Sequence, residues 1–237
     1  DAAAVVKNKR LLAMRASHII AVSEQTKRDV MDFFCIPEEK ISVIYHGCAQ
    51  VPGNAGSHPA GYGTYILFAG TRINYKNFYF MLVALADWLK AHTDVKLVCT
   101  SSGFSDFERE LIEGLGLQDQ VLHVFFKDDA EMYALYRNAL FFIFPSYYEG
   151  FGIPVLEAFE AGCPVVLADA SCFREIAGDS ALYFKPKDKM ELVRAVNAMY
   201  QDAELRNALR KKGKLQLRRF SWQAAAAQTA AVYESVL

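Results

Sequence analysis

Long apolar runs are missing from this sequence. No stretch approaches the roughly 20 residues that cross a bilayer as a helix, and none near the start has the build of a signal peptide. Charge of one sign is missing too: 26 Lys and Arg stand against 27 Asp and Glu, so a net charge of -1 argues against a general nucleic-acid footprint, and no nucleic-acid partner is expected. The five cysteines, Cys35, Cys48, Cys99, Cys163 and Cys172, form no CxxC pair and are odd in number. Most lie in apolar surroundings, so they read as core residues in a reducing compartment and not as a disulfide or zinc framework. No internal repeat at a fixed short period is found, no GxGxxG or GxxxxGK[ST] follows a strand, and no DxD occurs anywhere. What is present is a 53% apolar composition over 237 residues, enough for one large α/β domain or for one domain and part of another. The first residue is Asp, not Met, so a piece of a longer chain is expected.

Periodicity gives helices alternating with strands. A helix is expected near 2–15, a strand over 17–23, a helix over 24–35 and a strand over 41–45. Residues 47–63 hold five glycines and two prolines and read as a linker or long loop. Strands are then expected at 64–69, 95–100, 120–126, 140–144, 164–168 and 181–184. Helices fall between them at 77–91, 105–115, 128–138, 153–161 and 172–177, and three more follow at 188–201, 203–219 and 222–236. Alternation of this kind implies parallel crossover units and a doubly wound, Rossmann-like α/β sheet with a helical C-terminus.

Two loops carry candidate chemistry. After the first strand of that sheet comes PheAlaGlyThrArgIleAsnTyrLysAsn (68–77), with Gly70 and two cations, Arg72 and Lys76, before a helix that Asn77 is placed to cap. Cations beside a helix N-terminus suit a diphosphate, although basic residues in a solvated turn look the same. ProSerTyrTyrGluGlyPheGlyIleProValLeuGluAla (145–158) ends a buried strand and starts a helix with Pro154 in its first turn. Glu157 near that N-terminus is placed to accept hydrogen bonds from ribose hydroxyls, and the backbone of Gly150, Phe151 and Gly152 can approach a phosphate or sugar closely. Glu149 would face the sugar. Taken singly, Glu157 also reads as an ordinary first-turn acid and Glu149 as a surface loop residue.

The stretch GluGlyPheGlyIleProValLeuGlu (149–157) resembles the E-x7-E signature of the retaining glycosyltransferases of family 4, which have the GT-B fold of two Rossmann-like domains. AlaSerHisIleIleAlaValSer (16–23) and LysIleSerValIleTyrHisGly (40–47) resemble that family's end of the first domain and entry to the second, and AlaGlyCysProValValLeuAla (161–168) and ArgPheSerTrp (219–222) resemble its later landmarks. The resemblance covers almost the whole chain. It implies residues 1–47 as a remnant of an N-terminal domain and the interdomain crossing, 48–63 as linker, 64–219 as the C-terminal donor-binding half of a GT-B fold, and 220–237 as a C-terminal helix. It also implies ribose binding by Glu157, a catalytic-site position against the donor sugar for Glu149, and diphosphate binding by Gly70, Arg72, Lys76 and the 150–152 backbone. Here the arginine stands one place later than in many members, because Thr71 follows Gly70. Phe125, Phe126 and Lys127 would lie near the base, though the two phenylalanines equally suit a strand end packing on its neighbours. His46 would face the interdomain cleft; His18, His58, His92 and His123 read as structural or solvated.

The implied reaction moves a sugar from a nucleotide diphosphate donor to an acceptor hydroxyl with retention. The expected route is front-face attack assisted by the leaving phosphate, with Glu149 positioning donor hydroxyls instead of attacking. With no DxD, neither a metal nor another cofactor is expected. The remaining first domain, with its glycine-rich loop, histidine and acceptor pocket, is an expected partner. GlyThrArgIleAsnTyrLysAsn (70–77) is similar to members that build bacterial surface polysaccharides, so the acceptor would be a glycan or lipid-linked glycan. From Lys185 to Arg219, eleven Lys or Arg face four Asp or Glu. That excess is either a solvated helical face or a contact with an anionic membrane, and it frames an expectation of a cytoplasmic protein held peripherally at the inner membrane surface. Other readings are a nucleotide-sugar epimerase or phosphorylase of the same fold, a non-catalytic nucleotide-sugar-binding module, and a dinucleotide oxidoreductase domain, which the absent glycine fingerprint disfavours. The donor base is open among UDP, GDP and ADP.

Overall fold

A computed structural model describes residues 2–48 and 61–237. The first segment holds α1 (Ala2–Arg15), β1 (Ile19–Ala21), α2 (Glu24–Phe34) and β2 (Ile41–Val43), with β1 and β2 paired in parallel as a two-stranded sheet. Ala21, Ile36 and Ile41 form its small core. Both strands are shorter than their apolar runs, and among the described residues each has only the other for a hydrogen-bonded neighbour. Most of the glycine-rich stretch 47–63 lies outside the described residues.

The second segment builds a six-stranded sheet from β3 (Thr64–Phe68), β4 (Val95–Cys99), β5 (Val121–His123), β6 (Phe141–Phe144), β7 (Val165–Ala168) and β8 (Ala181–Phe184). Every pairing is parallel, in the order β5-β4-β3-β6-β7-β8. Buried on both faces, β6 and β7 read as unbroken apolar runs, as strands of a doubly covered sheet do. Alternation then sorts their side chains. Tyr65, Leu67, Phe142, Phe144, Val165 and Leu167 face α5 (Asp129–Asn138), α6 (Ile153–Glu160) and α7 (Phe173–Ala177). Ile66, Phe68, Phe141, Ile143, Val166 and Ala168 face α3 (Phe78–Ala91), α4 (Asp106–Gly114) and α8 (Lys189–Gln201). The expected doubly wound sheet is thus present. β5 stops at His123, three residues short of its expected end, since it is an edge strand paired only with β4.

Winding outward from β3 in one direction and from β6 in the other places the topological switch point between these two neighbours, which pair at Ile66 with Phe141 and Leu67 with Phe142. The loops that follow them, 69–77 and 145–152, leave the sheet side by side, and the Tyr147 N–H donates to the Tyr75 carbonyl at 2.8 Å. After β8, α8 turns at Asp202 into α9 (Ala203–Gln216), whose last expected turn tightens to a 3-10 helix at Leu217–Arg219, and α10 (Trp222–Val236) closes the chain. Gly47 lies under the start of α10: a Cβ there would stand 2.2 Å from Trp222 N. This close approach joins the end of the first segment to the last helix.

Candidate functional site

At the turn after β3 opens a cavity of about 310 Å³, lined among others by Gly70, Lys76, Thr100, Ser101, Phe126, Asp129, Met132, Tyr136 and Glu157; Glu149, Gly150, Phe151 and Gly152 do not line it. These residues come from the chain just after β3, β4 and β5 and from α5 and α6, at the C-terminal side of the sheet where open α/β folds take ligands. Gly70 has φ +109 with nothing within 4 Å of a would-be Cβ, so the turn needs glycine for its backbone and leaves the cavity wall bare. A larger depression of about 910 Å³, lined by Lys211, Lys214, Leu215, Arg218, Phe220 and Trp222 among others, sits on α9 and α10. No strand end and no residue expected to bind the donor lines it, so the smaller cavity is the candidate site.

Lys76 extends its ammonium to Glu149, with Nζ to Oε1 at 2.7 Å and both side chains largely buried. The lysine also lies 4.9 Å from the ring centre of Phe144. Glu157 enters from α6 and accepts a hydrogen bond from the Tyr136 hydroxyl at 3.1 Å. Burial raises its pKa above the ordinary carboxylate value; the Tyr136 bond opposes the rise and the nearby Asp129 adds to it.

The loop between the two glutamates is tied down by its carbonyls. Glu149 O accepts from Ser171 Oγ at 2.7 Å and Cys172 Sγ at 3.2 Å, Gly150 O from Ser23 Oγ at 2.6 Å and Thr26 Oγ1 at 3.1 Å, and Phe151 O from Cys172 Sγ at 3.2 Å. The N–H groups of Gly150, Phe151 and Gly152 have no acceptor among the described residues, although Phe151 and Gly152 are buried. Consecutive unpaired N–H groups ahead of a helix N-terminus suit an anionic or hydroxyl-rich ligand. Gly152, at φ 90, is the N-cap of α6.

Other expected residues stand elsewhere. Arg72 does not line this cavity. Only 6% exposed, it donates through Nε to Glu108 Oε1 at 2.7 Å and through Nη2 to the carbonyls of Ser102 at 2.7 Å and Gly103 at 2.8 Å. Its guanidinium is therefore spent on the loop after β4 and on the capping box that Ser105 and Glu108 make at the start of α4. Lys76 is the cation that the turn delivers to the cavity. Phe126 lines the cavity, whereas Phe125 is 76% exposed and meets His123 edge-on at 4.4 Å, and Lys127 pairs outward with Glu131 at 3.0 Å. The Phe151 ring is buried against Tyr45, His46 and Phe220 and anchors the loop. His46 lies behind that ring, 5.4 Å from Trp222 and half-buried, and burial lowers its pKa. Asn77 precedes α3 but makes no side-chain cap; its Nδ2 is buried without a partner, as is Ser146 Oγ. Tyr136, Thr100, Ser101, Asp129 and Met132 belong to no sequence motif; the signal for Thr100 and Ser101 is their place just after β4, and for Asp129, Met132 and Tyr136 their place on α5, the helix after β5.

Residues 58–216 match the family described as Glycosyl transferases group 1. The O-antigen chain mannosyltransferase B of Escherichia coli is 26% identical over 232 residues, covering 92% of this chain and 61% of that protein. Among solved structures, the sucrose-phosphate synthase of Thermosynechococcus elongatus superposes with a TM-score of 0.82 at 20% identity over 98% of this chain and 61% of the other. Anabaena HepE in complex with UDP and glucose does so with 0.80 at 22% identity, over 95% and 65%. The chain thus spans less than two-thirds of the length of each of these three proteins.

Proposed function

The chain belongs to the group 1 glycosyl transferases, and on that premise we propose that it is the donor-binding half of a retaining enzyme that transfers a sugar from a nucleotide diphosphate to a glycan or lipid-linked glycan hydroxyl. The observation that carries this is the cavity at the switch point that Lys76 and Glu157 both line, with Glu149 paired to Lys76 at 2.7 Å. Glu157 holds the ribose hydroxyls. Lys76 and the N–H groups of Gly150 to Gly152 take the diphosphate and the near edge of the sugar, and Phe126 lies beside the base. As the glycosidic bond breaks, negative charge grows on the departing phosphate oxygen, and a fixed ammonium and preoriented dipoles stabilise that charge more than the ground state. Glu149, held by Lys76, positions donor hydroxyls on the sugar. These protein groups take the part that a divalent cation plays elsewhere, so a chelator is expected to leave activity of the full-length enzyme intact.

The mannosyltransferase among its relatives and the sequence 70–77 favour a role in bacterial surface polysaccharide synthesis. The acceptor pocket belongs to a preceding domain, of which residues 1–47 carry the last part. No helix among the described residues is long and apolar enough to cross a membrane. Peripheral contact is proposed instead through Lys211, Lys214 and Arg218, which flank Leu215, 58% exposed, and Trp222, 46% exposed.

Calorimetric titration with UDP, GDP, ADP and NADH tests the donor site. One nucleoside diphosphate is expected to bind, and Glu157→Ala to weaken it; silence from all three, or preference for NADH, would overturn the reading.

A further inference from the structure

The motif loop is gripped from behind by residues that lie outside both the sheet domain and the 58–216 match. Ser23 Oγ and Thr26 Oγ1, at the start of α2, both reach the carbonyl of Gly150, at 2.6 and 3.1 Å. The same helix is fixed to the sheet domain at two further points. Glu175 of α7 accepts the N–H groups of Glu24 at 2.7 Å and Gln25 at 3.3 Å, and Asp29 accepts the Tyr148 hydroxyl.

A carbonyl oxygen has two lone pairs, and here two hydroxyls fill them. The Gly150–Phe151 peptide is trans, so its C=O and N–H point in opposite directions. Holding the Gly150 oxygen against α2 therefore aims the Phe151 N–H away from α2. Glycine on either side of Phe151 gives little resistance to rotation of these peptides, so the loop's own sequence does not hold them in this orientation. We propose that Ser23 and Thr26 are positioning residues for the donor site, acting through the Gly150–Phe151 peptide to preset the N–H that meets the donor's diphosphate or sugar. This rests on the donor-site reading above and adds to it a pair of residues from the segment before the sheet domain. Presetting the dipole spares the ligand the cost of ordering it.

Ser23 also caps α2 by accepting the Thr26 N–H at 3.0 Å, so its removal mixes two effects. Thr26→Val, which keeps the shape and removes the hydroxyl, is the cleaner variant. In the 237-residue chain, it is expected to weaken whichever of UDP, GDP and ADP binds by about three- to tenfold, the scale of one lost hydrogen bond. The melting temperature should hold, and Thr26→Ser should restore affinity. In the unaltered chain the Phe151 amide resonance should move on addition of inorganic pyrophosphate, and it should move less in Thr26→Val. Equal affinity and an equal amide response in Thr26→Val would overturn the inference while leaving the donor site standing. A lower melting temperature with unchanged affinity would make the hydroxyl purely structural. Failure of the unaltered chain to bind any of the three nucleotides would remove the donor site and the inference together.

Discussion

Arg72 has its polar contacts inside the protein, so truncating it strands the Glu108 carboxylate in a buried site. Burial by itself pushes the Glu108 carboxyl up, but the bonds from Arg72 and the Ser105 N–H outweigh it and hold the pKa below the ordinary value. A depressed carboxylate contributes stability above its unfolded pKa and loses it as the pH falls. Arg72→Ala is therefore expected to cost about 3 to 5 kcal/mol near neutrality, with a gap to the unaltered chain that narrows in acid, as thermal melts across pH would show. Lys76→Ala should do the reverse: a smaller loss of melting temperature, and a fall in nucleoside diphosphate affinity of about tenfold to a hundredfold for the lost charged contact. Local spacing could not separate these two cations, because what captures Arg72 is a carboxylate on a different element, 36 positions away. Glu157 has the opposite sign to Glu108. Its raised pKa means that the folded state binds a proton more tightly than the unfolded chain, so its ionisation costs stability as the pH rises past the ordinary carboxylate range. Glu157→Gln should melt higher than the unaltered chain at pH 8, lose that advantage near pH 4, and bind nucleoside diphosphate more weakly throughout.

At the scale of elements, the apolar runs of β3, β6 and β7 were plain in the sequence, because strands buried on both faces leave no polar positions to confuse the pattern. The motif loop was legible as a loop from Pro145, Gly150 and Gly152, and α6 from Pro154 in its first turn. The Phe151 ring was legible as apolar but not as the anchor packed on Tyr45 and Phe220, since those neighbours come from both ends of the chain. The end of β5 is not legible, because Phe125 and Phe126 continue an apolar run that the sheet does not. Gly47 shows how two distant elements constrain one position. A Cβ there would meet Trp222 N at 2.2 Å and the Ser221 carbonyl carbon at 2.8 Å, backbone atoms that cannot swing aside. Gly47→Ala is expected to destabilise the chain by about 1 to 3 kcal/mol, and a urea titration with an unchanged slope would measure it.

Across the whole molecule, alternation of helices and strands predicts a parallel doubly wound sheet, but not which strands become neighbours. That β3 meets β6, and so brings Gly70 and Lys76 to Glu149 and Glu157, is a property of the closed fold. The grip of α2 on the motif loop has a further consequence, in time. Its bonds to Gly150 and Glu175 join residues 127 and 151 positions apart, and among the described residues β1 and β2 pair only with each other. Such distant partners cannot be met until the sheet has assembled, so the N-terminal segment should be the last part to lock during refolding. By the same count it should be the first to let go, with amides of α2 exchanging with deuterium well ahead of those in β3 and β6. Each release would free the Gly150 carbonyl, so the lifetime of this peripheral contact would set how long the site stays ready between openings.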